Sequence, residues 1–419
     1  MLTEADNFCR AGTVFQNVGL YEKAISQYRT ALKADKLHAS SHFNMATCLC
    51  NLADKSEGTN IAVAFRRKAR SHYIKASENS ENGFGEAHSN LAVLYLKENM
   101  LDEALTSCER ALALHDINTM SYNKAFWNLS SVLRRLGCKE KAIERAWATI
   151  ERASSNNNVD GKGSSNSSVF TRPPRIQCCQ TEPTSATMTG STPWVSVICV
   201  KWGTKYGAEY VKRLYRGVCR NISVPFKFFC FTDDTSGLEL EANITCMGLE
   251  KGWTGWWNKA SLFSSSFPLK GRILYIDLDT VITGSVDDIA KYNGEFAILS
   301  THGIDNEGKD FSNGYNSSIL MWGATSSKYT SICEVLKSNY SLIHRFVHRF
   351  DHWLEMMVND ADLVQLLYPD QIRDFTNACT VSVPHDARIV VFPLKPKPHE
   401  VESTGWVKEI WTRGEDINA

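Results

Sequence analysis

The chain has 419 residues and carries 46 lysines and arginines against 46 aspartates and glutamates, so its formal net charge is zero. This length favours two domains over one, and the balanced charge gives no support to a nucleic-acid partner or an anionic membrane partner. No basic segment followed by an apolar one opens the sequence, no run of about 18 apolar residues occurs, and the cysteines form no CxxC pair. We therefore expect a soluble, cytoplasmic protein without a membrane span, a disulfide framework or a zinc site.

Helical patterns fill residues 1 to about 150, and three segments share one spacing. A glycine or asparagine is followed by an alanine, then by an apolar or small residue four positions on, then by a small residue three further. The segments are 19–35, 99–116 and 136–153. Small residues at these intervals share one helix face and let a partner helix approach closely.

A fainter fourth copy is interrupted by an insertion at 54–67. Taken together, residues from about 5 to 153 resemble tetratricopeptide repeats, with the second and fourth of four units degenerate or padded. The resemblance implies an all-α solenoid over residues 1–153 whose concave face binds a protein partner or an extended segment. A scaffold or a dimer contact is the alternative.

Residues 154–193 are polar, rich in glycine, serine and asparagine, and broken by prolines, which predicts a flexible linker. Beyond it, β-branched and aromatic runs alternate with helical patterns, which predicts an α/β domain over 194–419 with a largely parallel sheet. The predicted strands are 194–200, 226–234, 243–249, 272–279, 295–300 and 317–322. Ligands of such sheets gather at the carboxyl ends of the strands.

The fourth predicted strand ends in Asp277 and Asp279. Two carboxylates at this spacing suit Mg or Mn, and such an ion can bridge a diphosphate. An Asp-rich turn without a ligand is one alternative. The stretch DLDTVI, taken alone, also fits a haloacid-dehalogenase-like phosphatase, with the first aspartate as nucleophile and the second as general acid. That family carries the motif on its first strand, whereas here three strands and a helix precede it.

The segments around this motif, taken in order, resemble the family eight-like glycosyltransferases with a GT-A fold. They span about 194–411 and read VKWGTKYGAEYVKRLYRGVCRNISVPFKFFCFTDD, GWWNKASLFSSSFPLKGRILYIDLDTVITGSVDDI, YNSSILMW, ARIVVFPLKPKPHEV and GWVKEIW. The resemblance implies that Asp277 and Asp279 hold Mn or Mg on the diphosphate of a nucleotide sugar, expected to be UDP-linked. It also implies that the loop after the first strand meets the nucleotide, with Trp202 or Tyr206 stacking on its base. The loop residues expected there are Lys201, Trp202, Gly203, Thr204 and Tyr206.

Residues 256–259, which read Trp-Trp-Asn-Lys, open the segment that leads to the Asp-X-Asp strand. Lys259 is able to neutralise a phosphate, and Asn258 beside it is a further candidate donor contact. Trp256 and Trp257 either form a wall against the sugar or pack into the core.

Two more segments extend the candidate donor site. Asn316, Ser317 and Ser318 resemble the donor-sugar contacts of the family. Lys395 and Lys397 alternate with prolines and form a stiff basic element, which caps the leaving diphosphate or lies in solvent as a simple loop.

The chain departs from the family pattern at two places. Related enzymes often supply a third metal ligand from a histidine just ahead of the lysine loop, but residues 391–394 here read Val-Phe-Pro-Leu, so His399 or water is expected to substitute. In place of the family's Gly-Asp-Gln, whose acid sits near the reacting sugar, the sequence offers Asp351 as first choice and Asp370 as second.

These features predict a metal-dependent glycosyltransferase, with an acceptor that is a protein or glycan recruited in part by the repeat domain. The resemblance implies a hexosyl-type enzyme that retains configuration. An adaptor protein whose transferase-like domain is inactive is the first alternative, in keeping with the missing histidine. The phosphatase is the second.

Overall fold

The computed structural model describes residues 2–81, 83–159, 170–178, 195–239, 241–301, 304, 314–324, 327–401 and 405–413. The chain divides into two compact units, residues 1–136 (unit 1) and 137–419 (unit 2). Among the residues described, no helix combines the length and the apolar character needed to cross a bilayer.

Unit 1 is helical over its described residues. Its helices are α1 (Glu4–Asn17), α2 (Tyr21–Ala34), α3 (Ala39–Lys55), α4 (Asn60–Glu78), α5 (Gly85–Lys97), α6 (Leu101–Leu114) and α7 (Met120–Arg135). They pack in consecutive pairs, α1 with α2, α3 with α4, and α5 with α6. Gly19 at φ 76° and Asn99 at φ 59° turn the chain within the first and third pairs. These are the turn residues of the predicted spacing, and the left-handed region favours glycine and asparagine.

The small residues of the repeat spacing form the helix contacts of unit 1. Ala24, Tyr28 and Ala31 on α2 are all 0 % exposed. A Cβ atom placed on Gly12 of α1 would lie 2.4 Å from the Tyr28 ring, so only glycine allows the two helices to approach this closely. The predicted face of α2 is therefore the buried face.

Unit 2 combines helices with three sheets among its described residues. Its helices are α8 (Lys139–Val159), α9 (Ala208–Asn221), α10 (Asp287–Ala290), α11 (Ser331–Phe346), α12 (Phe350–Met357), α13 (Val364–Leu367), α14 (Phe375–Ala378) and α15 (Gly405–Trp411), with 3₁₀ segments at Gly255–Phe263, Ser327–Tyr329 and Pro398–Glu400. Its strands are β1 (Ile176–Gln177), β2 (Val195–Lys201), β3 (Phe226–Thr232), β4 (Ile244–Gly248), β5 (Arg272–Ile276), β6 (Thr280–Ile282), β7 (Phe296–Ser300), β8 (Tyr315–Gly323), β9 (Val358–Asn359), β10 (Asp362–Leu363), β11 (Ile372–Asp374) and β12 (Ile389–Val391).

The central sheet has the strand order β10-β7-β8-β5-β2-β3-β4, and β6, β12 and β11 form a smaller sheet. Strands β5, β2, β3 and β4 run parallel, as predicted, whereas β8 runs antiparallel to both of its neighbours, so the sheet is mixed. Because β8 begins where β5 ends, the backbone N–H of Asp277 donates to the Ser318 carbonyl over 2.8 Å. The reversed strand thus brings the Asn-Ser-Ser segment beside the Asp-X-Asp motif.

Helix α8 carries the last copy of the repeat spacing but belongs to unit 2, so the observed division falls before the predicted boundary at residue 153. It packs on α11, and its Trp147 is 1 % exposed, with its ring 5.8 Å from that of Trp353. The reason is a second apolar stripe on α8 that packs within unit 2.

The predicted linker at 154–193 is described only in part. Residues 160–169 and 179–193 lie outside the described residues. The described parts are the end of α8 and residues 170–178, where β1 pairs with β9 and Phe170 stacks on Trp147 with ring centroids 6.0 Å apart.

Candidate functional site

A cleft opens where β2 and β5 end, and residues distant in sequence form its walls. They come from the loop after β2, the first 3₁₀ segment, the end of β5, the start of β8, the start of α12 and residues 393–394 after β12. The predicted site residues in these walls are Trp202, Tyr206, Lys259, Asp277, Asp279, Asn316, Ser317, Ser318 and Asp351. This convergence is the arrangement expected of ligand sites in sheets with parallel strands.

Asp277 lies against an ammonium group and a phenol. The Lys259 ammonium Nζ is 2.8 Å from its Oδ1 and 2.9 Å from its Oδ2. The same ammonium donates to the Ser317 carbonyl at 3.1 Å and the Ser317 hydroxyl at 3.0 Å. The Tyr275 hydroxyl donates to Asp277 Oδ1. The carboxylate is therefore neutralised inside the protein.

Asp279 has the same kind of surroundings, built from other segments. The Lys397 ammonium donates to its Oδ2 over 2.7 Å, and the Tyr206 hydroxyl donates to the same oxygen over 2.8 Å. Lys397 also donates to the backbone carbonyls of Phe392 and Pro393. Each aspartate of the motif is thus paired with one lysine and one tyrosine.

The two tyrosines are held in their protonated form. Burial raises the pKa of Tyr206 and of Tyr275, and the negative charges of Asp279 and Asp277 raise these pKa values further. Each phenol therefore remains a hydrogen-bond donor to its carboxylate across the physiological pH range.

The Asn-Ser-Ser segment forms another wall of the cleft. The backbone N–H of Ser317 donates to Asp351 Oδ1 over 2.9 Å, and that of Ser318 donates to Asn316 Oδ1 over 2.9 Å. Asp351, the first choice for the acid near the sugar, therefore lies in the cleft and is oriented by the β8 backbone.

Several residues predicted to contact the nucleotide-sugar donor lie outside the cleft walls. Lys201 is 2 % exposed, and its ammonium donates to the Asp234 carbonyl at 3.0 Å. The Gly203 N–H donates to Asp233 Oδ2 at 3.0 Å, and Thr204 is exposed. Lys201 and Gly203 therefore tie the β2 loop to the end of β3.

Asn258 and Lys395 also lie apart from the cleft. The Asn258 amide donates to the Gly255 carbonyl over 2.8 Å and so supports its own 3₁₀ segment. The Lys395 side chain is 86 % exposed and pairs with Glu400 at 3.3 Å. Neither lysine of the proline loop lines the cleft, but Lys397 pairs with Asp279, which does.

Asp370, the second choice for the catalytic acid, is an exposed turn residue. Its φ of 64° lies in the left-handed region, and its carboxylate pairs with Arg373 at 2.7 Å. The literal Asp-Gln of the sequence therefore marks the turn before β11, and it does not line the cleft.

The two tryptophans have different positions. Trp257 is 6 % exposed, and its ring meets those of Tyr340 and Phe350 edge-on, so it is a core residue. Trp256 is 47 % exposed and lines the cleft edge-on to His348, with 6.2 Å between ring centroids. Trp257 therefore packs into the core, and Trp256 forms part of the cleft wall.

The residues expected to bind a metal ion do not form a three-ligand site. His399 lies in the 3₁₀ segment against α9, where its Nδ1 bonds to the Tyr210 hydroxyl. Across the described ranges, no group of three histidine, cysteine, aspartate or glutamate side chains is arranged to hold a metal ion. Both candidate carboxylates are already neutralised by lysines. This donor set does not fit the Mn or Mg site implied by the resemblance.

Sequence reasoning missed Tyr275, His348 and Arg349, which lie in the cleft walls. A signal existed for Tyr275, because residues two apart on a strand share a face, and this tyrosine lies two residues before Asp277. His348 and Arg349 precede α12 without any motif. Their position in the cleft depends on how that helix packs.

One family model matches the chain. It is described as a tetratricopeptide repeat and covers residues 85–115, which hold α5 and α6. The N-terminal part of the chain therefore contains a tetratricopeptide unit, as predicted. No curated protein matches the chain.

Solved structures resemble parts of the chain. A thermophilic tetratricopeptide protein from Thermus thermophilus is 15 % identical, covering 38 % of this chain and 79 % of its own, at a TM-score of 0.31. YrrB, described as a tetratricopeptide protein with an unusual peptide-binding site, is 15 % identical. The match covers 38 % of this chain and 78 % of YrrB, at a TM-score of 0.29. The glycosyltransferase GlyE of Streptococcus pneumoniae TIGR4 is 17 % identical, covering 52 % of this chain and 59 % of its own, at 0.38. The activity of unit 2 has to be inferred from its own residues.

Proposed function

We propose that unit 2 transfers a hexose from a nucleotide-sugar donor to an acceptor, with retention of configuration, and that the repeat region binds a protein partner or the acceptor itself. The observation that supports this is the convergence of six distant segments on one cleft, whose walls combine the Lys259–Asp277 pair, Asp279 with its partner Lys397, and the Asn-Ser-Ser segment. Such a set suits a ligand that carries both phosphates and sugar hydroxyls.

In the proposed reaction the acceptor hydroxyl oxygen forms a bond to the anomeric carbon on the face from which the diphosphate leaves, and the bond from that carbon to the diphosphate breaks. The electron pair of the broken bond stays on the diphosphate, which takes up the proton of the acceptor hydroxyl, and Lys259 and Lys397 offset the remaining negative charge. Asp351 would face the sugar, because its carboxylate lines the cleft beside Ser317. No step is routed through Mn or Mg, since the donor set does not fit such an ion.

The proposal is tested by measuring binding and hydrolysis of UDP-, GDP- and ADP-hexoses by the full chain and two variants. In Asp351→Asn we expect sugar release to fall about 100-fold while nucleotide binding is retained, because the change removes a charge near the reacting carbon and not near the diphosphate. Asp370→Asn is the matched control, since this exposed aspartate lies outside the cleft walls.

Three results would contradict the proposal. Failure to bind any nucleotide sugar would show that the cleft is not a donor site. Equal turnover in Asp351→Asn and the wild type would show that Asp351 does not act in the reaction. Hydrolysis of a simple phosphomonoester without nucleotide binding would favour the phosphatase.

The inactive adaptor is a second candidate, favoured by one observation. Both aspartates of the motif are engaged by lysines, and His399, the expected third ligand, bonds elsewhere. Nucleotide-sugar binding without any sugar release, in every donor tried, would support this alternative.

A further inference from the structure

The Lys397 ammonium occupies a cage of oxygen atoms. Its acceptors are Asp279 Oδ2 at 2.7 Å, the Pro393 carbonyl at 3.2 Å and the Phe392 carbonyl. An ammonium has three N–H donors, so these acceptors saturate it. The side chain is only 11 % exposed, against 86 % for its neighbour Lys395. Lys397 is therefore a fixed internal cation and not a mobile surface lysine.

This cage lies where the resemblance implies a metal ligand. Residues 391–394 match the segment in which related enzymes often carry the histidine, and here their side chains are apolar. Their backbone supplies carbonyl oxygens, which are hard ligands of the kind that divalent cations prefer. The group bound by these oxygens is the ammonium of Lys397.

Lys259 repeats the arrangement at the other aspartate. Its ammonium contacts both oxygens of Asp277 and two oxygens of Ser317, and the side chain is 11 % exposed. Two carboxylates and two ammonium groups thus balance in a largely buried cluster. A dication would have to displace both ammoniums from their carboxylates, and breaking a buried ion pair is strongly unfavourable.

The remaining charges at the cleft favour an anion. Lys205 lines it in addition to the Lys259–Asp277 pair, and the Lys397–Asp279 pair adjoins it, while the Asp351 carboxylate accepts the backbone N–H of Ser317. Lys205 is exposed at the mouth, 4.8 Å from the Tyr206 ring centroid. A diphosphate is the ligand group that this balance suits.

We propose that Lys259 and Lys397 take the place of a divalent cation, so that this site binds a nucleoside diphosphate, and stabilises it as a leaving group, without Mn or Mg. The inference rests on the proposed function. The two ammoniums act as fixed positive charges that keep their carboxylate contacts and offset the charge of the diphosphate when the donor enters. Asp277 and Asp279 are then positioning residues for the ammoniums, held in turn by Tyr275 and Tyr206.

The test is calorimetric titration of the full chain with UDP, GDP and ADP, first in EDTA and then with Mn or Mg in excess. We expect one nucleotide to bind in EDTA with a Kd within about threefold of its value with metal. Lys397→Met should weaken that binding about tenfold or more, with no recovery on adding Mn, since a fixed positive charge beside the diphosphate is lost and Asp279 is left unpaired. Lys395→Met, which alters the exposed lysine of the same loop, should bind like the wild type.

Binding that is lost in EDTA and restored by Mn would overturn the inference and leave the proposed function standing. Recovery of Lys397→Met by Mn would overturn it as well. Absence of binding for all three nucleotides in both conditions would overturn the inference and the proposed function together. The EDTA comparison uses wild-type protein, so it decides the matter even if Lys397→Met fails to fold.

Discussion

Helix α2 of unit 1 and helix α8 of unit 2 carry the same repeat spacing, but their buried surfaces differ. On α2 the buried positions form one stripe, and the rest of the helix is exposed or half-buried. On α8 the corresponding alanines are buried, and so is a second stripe formed by Ile143, Trp147 and Ile150. The repeat spacing thus predicts which residues lie on one buried face of a helix. It does not predict what packs against the opposite face.

The second stripe explains why α8 belongs to unit 2. Charged residues beside it continue the contact: Arg172 forms two 2.8 Å hydrogen bonds to the Glu144 carboxylate, and Arg175 pairs with Glu140 at 3.0 Å. Arg175 also donates to the Glu355 carbonyl on α12, the helix whose first residues line the cleft. A helix that the repeat pattern assigns to the solenoid is therefore part of the sheet unit.

The largest expected effect comes from Trp147→Ala, which should destabilise unit 2 by about 3–5 kcal/mol, because it empties a large buried site. The indole is 1 % exposed and packs on Phe170 and Trp353. Hydrogen exchange of the β2 and β5 backbone amides measures the loss.

Trp147→Phe is the matched control for this change. It should lose much less stability, because it keeps a ring, and the indole N–H has no hydrogen-bond acceptor among the described residues. If the hydrogen-exchange rates of the β2 and β5 amides are the same in Trp147→Ala as in the wild type, α8 does not stabilise the sheet.

A smaller effect is expected in unit 1, from a substitution on α2. Ala31→Leu on α2 should destabilise unit 1 by about 1–3 kcal/mol, because its methyl group is 0 % exposed between close helices and a larger side chain overpacks the contact. Ala34→Leu changes the same residue type on the exposed face of the helix and should stay within about 0.5 kcal/mol of the wild type. Denaturant unfolding followed by exchange of α2 amides compares the two, and equal losses would refute the assignment of the close face.

The smallest effect expected is a pH dependence of unit 1 caused by His72. Burial, with His42, Lys75 and Arg29 nearby, lowers its pKa from 6.5 to about 4, and its Nδ1 lies 2.8 Å from that of His42. Between these values the unfolded chain binds a proton that the folded unit does not. The stabilisation is therefore complete above pH 6.5 and is lost as the pH falls toward 4.

His72→Gln removes this titration. Thermal unfolding between pH 7 and pH 5 should therefore show a steeper loss of stability in the wild type than in the variant. The remaining slope belongs partly to His42, whose pKa is also lowered by burial. Parallel pH profiles for the two proteins would contradict the prediction.

Much of the fold could be predicted because its signals are local. The glycine and asparagine turns, the small-residue stripes and the β-branched strands each depend on residues close in sequence. The reversal of β8 had no such signal, since strand direction depends on which neighbour a strand pairs with. The position of Asp351 in the cleft agrees with the first choice made from sequence, whereas the second choice, Asp370, lies in an exposed turn.

The sequence by itself determined which chemical groups the site has available: two carboxylates at a strand end, a lysine after two tryptophans, a lysine between prolines, and an Asn-Ser-Ser strand start. Only the tertiary structure decided their partners. Lys259 is 18 residues and Lys397 is 118 residues from the aspartate that it neutralises, and no periodicity records contacts over such separations. Because a carboxylate can face a metal ion or an ammonium, the chemistry of this site depends on which cation the fold brings to it.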